Sequence, residues 1–201
     1  MHERRWYAPR RHSADLLPAI DEVLELNGVA KSDLSLLIAT VGPGGYTGLR
    51  VGVSVTKTLA YALGIGAIGV NRLWADAAGW LQQKRPVCAV HRAGRKDFAV
   101  AVYGGMPEEP EELLAPQLIA MTDLARVVPA SALVSGEIPE EVSAELEAAG
   151  HEVWKGIAGQ RRPLVVARLG LQAAANGATS DPQALLPVYL RAPVQDPAAE
   201  A

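Results

Sequence analysis

The sequence predicts an α/β protein in which helices cover a sheet, and three features predict it. Short, nearly continuous apolar runs of strand length recur at residues 34–41, 67–70 and 87–90. Longer segments with apolar residues at helical spacing alternate with them. A glycine-rich joint, residues 42–48, connects the first apolar run to a proline-free helical segment, residues 47–63.

Composition sets the bounds. A chain of 201 residues can bury a substantial core in one or two domains. The net charge of −3 leaves no basic footprint, which disfavours direct nucleic-acid binding. The single cysteine, Cys88, excludes an internal disulfide and a cysteine-rich metal site, and its strand-like surroundings suit a buried inert thiol. No apolar run is long enough to span a membrane, and Met1-His2-Glu3-Arg4-Arg5 is not followed by a signal-peptide core, so a cytoplasmic location is expected.

In chain order, Arg4-Arg5-Trp6-Tyr7 reads as a strand closed by Pro9. A first helix follows, with Ser13 as candidate N-cap, an apolar face of Leu16, Leu17, Ile20, Val23 and Leu24, Pro18 near its first turn and Asn27-Gly28 at its end. Residues 34–41 fit a strand buried on both faces. The helix after the glycine joint carries two stripes: Leu49, Val53, Thr56, Ala60 and Leu63 on one side, Val51, Val55, Leu59 and Ala62 on another. One sheet contact needs a single stripe, so the second is either sandwiched within the monomer or meets a partner. Gly48, Gly52 and Thr56 recur every four residues and permit close helix approach.

Next come a strand at 67–70, a short helix bearing Leu73, Trp74, Ala77, Ala78 and Leu81, and a hairpin of 87–90 with 98–103. Residues 104–116, rich in Pro and Glu, read as a solvated connection between two lobes. A second α/β portion then has a helix from about Thr122, a strand at 132–136, a helix at 141–149, a short strand at 152–154 and a helix at 163–176 closed by Gly177. Asp181-Pro182 breaks the chain, and 192–201 reads as a flexible tail. The expected lobes are residues 1–105 and 106–191.

The joint Gly42-Pro43-Gly44-Gly45-Tyr46-Thr47-Gly48-Leu49-Arg50 is the main candidate site. A strand, a glycine loop and a helix N-terminus can hold a phosphate or carboxylate on free N–H groups. The other reading is a tight connection whose glycines let helix and sheet pack closely, with Tyr46 as an anchor. Neither the P-loop lysine nor the dinucleotide fingerprint is present. Catalytic candidates are absent: the four histidines lack HxxxH or HExxH spacing, Ser54 and Ser135 lie outside nucleophile motifs, adjacent Glu140 and Glu141 cannot face each other across a substrate, and Asp76 reads as a capping or surface residue. His12 reads as a local hydrogen-bonding residue.

Residues 42–52 resemble GPGSFTGLRIG, the signature of the TsaB family, the glycoprotease-like (M22 peptidase-like) accessory subunit of bacterial tRNA threonylcarbamoyladenosine synthesis. Gly45 and Tyr46 replace Ser and Phe. His12-Ser13-Ala14-Asp15-Leu16-Leu17-Pro18 is similar to the family's HSExLLP, Ile68-Gly69-Val70-Asn71-Arg72-Leu73 to IGVSSL, and Pro187-Val188-Tyr189-Leu190-Arg191 to PxYLR. Residues 92–103 resemble DAGRGELYVAVY, with Arg92 where the family has Asp.

The resemblance implies an actin-like (ASKHA, ribonuclease H-like) fold of two small lobes. It also implies an opening Asp-Thr-Ser strand and a second strand that this sequence lacks, which would leave a sheet edge exposed. The implied function is that of a non-catalytic subunit which docks and activates a TsaD-like catalytic paralogue. That complex transfers threonylcarbamoyl to N6 of adenosine 37 in tRNAs reading ANN codons. The implied partner surface comprises Ala14, Leu17 and Leu24 of the first helix with Val51, Val55, Leu59 and Ala62 of the second. No cofactor or metal is expected on this chain, ATP and a metal being expected on the partner. A TsaE-like ATPase is a further expected partner, tRNA would be met only through the complex, and the chain alone would self-associate. The alternative is a small actin-fold ATPase or kinase that uses the glycine loop for phosphate.

Overall fold

Two sheets, each covered by helices, share the described chain. The computed structural model describes residues 3–6, 11–106, 109–154 and 163–191. The first sheet is a parallel pair, β1 (Leu36–Gly42) with β2 (Gly66–Asn71), joined by the helix α2 (Tyr46–Leu63). The second has five strands in the order β5-β4-β3-β6-β7. These are β3 (Val87–Arg92), β4 (Asp97–Met106), β5 (Glu109–Ala120), β6 (Leu133–Gly136) and β7 (Glu152–Val153). Strands β3 and β4 pair antiparallel, as do β4 and β5, whereas β6 runs parallel to β3 and to β7.

Strand periodicity sorts the core of the second sheet. Along β3 and β4, Cys88, Val90, Phe98, Val100 and Val102 face Leu124, Val128, Val142 and Leu146. These partners come from α4 (Leu124–Val127), the residue after it, and α5 (Glu140–Ala148). The alternate residues Val87, Ala89, Ala99, Ala101 and Tyr103 face Leu73 and Ala77 of α3 (Arg72–Ala78), with Leu81 beyond it. Both faces are covered, which explains why these strands read as continuous apolar runs. In the first sheet, Val53 and Ala60 of α2 pack on Val41 and Ala67. On the other face, Leu169 of α6 (Pro163–Ala175) packs near Val70 and Ile38. A Cβ at Gly170 would lie 2.5 Å from Ile38 Cγ2, so α6 approaches the sheet more closely there than a larger residue would allow.

Several expectations are corrected. Residues 104–106 and 109–116, expected within a solvated connection, lie instead in β4 and β5, which pair antiparallel. The Glu and Pro content that reads as a linker belongs to an edge strand, where Glu109, Pro110, Glu111 and Glu112 are exposed and protect the open edge. The expected lobe boundary between 105 and 106 therefore falls inside β4, and residues 87–153 supply a single sheet. Residues 3–6 form no strand; Arg4 instead pairs with Glu22 of α1 (His12–Asn27). That helix begins one residue before Ser13, with Arg11 at its cap and no side-chain cap bond, so Pro18 lies inside the helix. Strand β1 is half-buried through most of its length, because only β2 pairs with it among the described strands. The expected tail, residues 192–201, lies outside the described residues.

The end of β6 is sterically constrained. Gly136 has φ 136°, and a Cβ there would lie 1.9 Å from the Val90 carbonyl oxygen. Gly136→Ala should therefore lower stability by about 2–4 kcal/mol in urea unfolding, from strain plus backbone displacement.

Candidate functional site

Strand β1 runs into the joint through Gly42, which has φ 118° and a cis bond to Pro43. Gly45 precedes α2 without a capping side chain, and Gly64, at φ 67°, ends it in a left-handed cap. The loop lines a cleft of about 460 Å³ between the sheets, whose walls include Pro43, Gly44, Gly45, Tyr46, His91 and Arg92. Residues 188–191 form a further wall.

Close packing explains the first glycine of this loop better than anion binding does. A Cβ at Gly42 would lie 2.6 Å from the Val188 carbonyl oxygen, and Val188 N–H donates to Val41 O at 2.7 Å. That carbonyl places partial negative charge where an anion would approach Gly42. Tyr46 does anchor the joint: its ring lies 5.1 Å from that of Tyr189, and the Arg50 guanidinium sits 4.7 Å from it on a cation–π contact. Thr47 and Arg50 are exposed. Gly44 and Gly48 are not the constrained positions. A Cβ at Gly44 would make ordinary contact with Leu49, and one at Gly48 meets nothing within 4 Å.

The stripe Val51, Val55 and Leu59 is half-buried and Ala62 is exposed. Helix α1 packs on α2 yet leaves much of its own apolar face open: Ala14 is exposed, Leu17 is 45% exposed and Leu24 is half-buried. Gly48 and Gly52 share the open face of α2 with Val55, Leu59 and Ala62 at alternating spacings of four and three, and a Cβ at Gly52 would also meet nothing within 4 Å.

Sequence reasoning missed a buried charge network beside the cleft. Arg72 opens α3 directly after β2, where the Asn71 side chain caps the helix by accepting from Leu73 and Trp74 N–H. Its guanidinium, 2% exposed, donates from Nε to Asp76 Oδ2 at 3.3 Å, from Nη1 to His91 Nε2 at 3.1 Å and from Nη2 to Glu137 Oε1 at 2.7 Å. Because guanidinium can only donate, His91 Nε2 accepts and the ring proton of a neutral imidazole sits on Nδ1. Nδ1 lies 3.0 Å from Glu137 Oε2, off the line of a good hydrogen bond. Contact with His91 and the charge of Arg72 together hold the Glu137 carboxyl down at about 2. Burial raises Asp76, against the opposing pull of Arg72, so Asp76 is a buried ion-pair member and not the expected surface residue. Glu137 directly follows the constrained Gly136, and no local motif marks it.

The other candidates lie apart. Cys88 is fully buried, and burial pushes its thiol up to about 12, as an inert core cysteine requires. His12 and Ser54 are exposed. Arg92 donates to Gly94 O within its own turn. Among the described residues, no three His, Cys, Asp or Glu side chains gather as a metal site, and no helix is long and apolar enough to cross a membrane.

The family described as TsaD, tRNA N6-adenosine threonylcarbamoyltransferase, matches residues 7–154, well over half of the chain. The chain belongs to this family. Curated relatives called tRNA threonylcarbamoyladenosine biosynthesis protein TsaB include that of Bacillus subtilis, 30% identical over 117 residues, covering 58% of this chain and 51% of the relative. The TsaB of Escherichia coli is 34% identical over 121 residues, covering 55% and 52%. A tRNA N6-adenosine threonylcarbamoyltransferase of Moorella thermoacetica is 44% identical over a shorter stretch of 66 residues, 33% of this chain and 19% of that protein. The alignment thus spans about half the length of the curated TsaB relatives. Two solved structures share the fold. A Pseudomonas aeruginosa protein with similarity to peptidase YeaZ has a TM-score of 0.76 at 23% identity, with 95% of this chain and 92% of that one covered. YeaZ from Pseudomonas aeruginosa has a TM-score of 0.72 at 24% identity, covering 94% and 92%. The fold is the actin-like α/β fold.

Two predictions follow from the geometry. Gly42→Ala should lose about 2–4 kcal/mol of stability, whereas Gly48→Ala should leave it unchanged or raise it by up to about 1 kcal/mol, both read by denaturant unfolding. Glu137 has a folded-state pKa below its unfolded value, so its contribution is present above about pH 4.5 and is lost as pH falls towards about 2. Glu137 is half exposed, and after allowance for solvent screening Glu137→Gln should cost about 1–2 kcal/mol at pH 7. The stability difference from the parent should disappear near pH 2, and a pH-independent difference would contradict the assignment.

Proposed function

We propose that this chain is a non-catalytic subunit in tRNA threonylcarbamoyladenosine formation, docking a TsaD-like catalytic paralogue through α1 and α2 and holding it in its active arrangement. The observation that carries the reading is the open face of α2: Gly48 and Gly52, with nothing opposite them, continue into Val55, Leu59 and Ala62. Small residues followed by aliphatic ones at alternating spacings of four and three suit a partner helix lying close along α2, with Ala14, Leu17 and Leu24 of α1 at its border. Membership of a family that includes both TsaB proteins and threonylcarbamoyltransferases supports a paralogue as that partner.

In this reading the paralogue carries ATP, the metal and the transfer chemistry at N6 of adenosine 37. A TsaE-like ATPase joins the complex, tRNA meets this chain only within it, and the chain self-associates through the same face when alone. The glycine loop serves as a packed joint that sets the angle of α2.

Gly52→Arg separates docking from folding. The position is open in the monomer and glycine is a poor helix former, so melting should be unchanged or slightly raised. An unpaired charge at the centre of a helix contact should weaken association with a TsaD-like paralogue by about 3 kcal/mol, roughly a hundredfold. Threonylcarbamoyladenosine formation by the reconstituted mixture should fall with it. A folded variant that binds and supports modification as before would refute the docking face.

A further inference from the structure

The segment Pro187-Val188-Tyr189-Leu190-Arg191 belongs to no helix or strand, yet it touches both sheets. Just before it, Leu185 joins the core of α2 and the first sheet, and within it Val188 N–H donates to Val41 O at 2.7 Å. At its end, Leu190 packs against the cluster containing Leu73 and Tyr103, and Arg191 pairs with Asp97 at the start of β4. Between these anchors, Tyr189 lies against Tyr46, the first residue of α2, with Arg50 on the same Tyr46 ring.

The first turn of α2 packs through Leu49 toward Gly42 and Gly44 but has no side-chain cap. Gly45 offers no capping side chain, and Gly42, Gly44 and Gly45 precede the helix within four residues. Glycines give a backbone freedom, and an uncapped helix frays from its first turn. The Tyr189 hydroxyl is buried without a hydrogen-bond partner among the described residues, so what this side chain supplies is its ring.

We infer that residues 187–191 are a strap that fixes the first turn of α2 relative to the five-stranded sheet, with Tyr189 as its positioning residue. A strap of this kind sets where the docking face begins, and this consequence alone rests on the docking reading above. The ion pair of Arg191 with Asp97 is more than half exposed on the Arg191 side and serves as a secondary anchor.

Amide hydrogen exchange on the free, full chain tests the strap without any partner. Tyr189→Ala should raise exchange at least tenfold at Leu49 to Gly52, whose amides close the first turns of α2, and should leave residues 56–63 and the amides of β3 and β4 unchanged. Tyr189→Phe should match the parent, because its lost hydroxyl has no partner. Tyr46→Ala, made at an exposed position, should reproduce the effect from the other side of the contact and guards against a Tyr189 variant that fails to fold. Unchanged exchange at Leu49 to Gly52 in Tyr46→Ala, or a uniform rise across α2, β3 and β4, would overturn the strap. A second arm measures affinity for a TsaD-like paralogue, where Tyr46→Ala should weaken binding at least fivefold if the docking reading holds. Should Gly52→Arg leave binding intact, the docking reading fails, and the exchange arm still decides the strap.

Discussion

A buried guanidinium cannot be left without acceptors, and that constraint ties the two sheets of this protein together. Arg72 follows β2 of the first sheet, whereas His91 lies on β3 and Glu137 follows β6 of the second. Three nitrogens of one 2% exposed side chain reach three acceptors from separate parts of the chain. Losing any one of them would leave part of a buried charge unsatisfied, most severely for Asp76 and His91, which are themselves buried. The relative placement of β2, β3 and β6 is therefore fixed by electrostatics as well as by apolar contact.

The packing around α3 makes this geometry possible. Ala77, Ala89, Ala99 and Ala101 are fully buried where α3 meets the second sheet, and their small side chains let the helix lie close. On the opposite face of the same strands stand Phe98, Val100 and Val102, which meet Leu146 and Val142 of α5. The alanines at the α3 contact bring the start of α3 within reach of His91. The cleft beside the glycine loop is a product of the same arrangement, since His91 forms part of its wall.

How much of this was legible in the sequence depended on whether the signal was local. The apolar runs that became β1 to β4 and β6 could be read because burial imposes period and composition over a few residues. The two-stripe pattern of α2 was equally visible, and it separates residues that meet the sheet, such as Val53 and Ala60, from half-buried Val51, Val55 and Leu59. Strand β5 was hidden because an edge strand uses Glu and Pro against unwanted pairing, and the same residues make linkers. The Arg72 network was invisible for another reason. His91 and Glu137 are separated from Arg72 by 19 and 65 positions, and charged residues taken singly are read as surface. Gly42 was recognised as part of a loop, but only Val188, far along the chain, explains why it must be glycine.

The two sheets also differ in how completely they are buried, and that difference bears on the proposed docking. Both faces of β3 and β4 are closed over, whereas β1 and β2 form a two-stranded pair with β1 half-buried and α1 packed mainly on another helix. Among the described residues the first sheet has two strands, and such a pair contributes little independent stability beyond its packing with α2 and α6. Any partner that binds the folded form adds its binding free energy to stability, and the gain is felt where the fold is weakest. The proposed surface on α1 and α2 would place docking on the half of the molecule that benefits most. The Arg72 network and the proposed strap both connect that half to the second sheet.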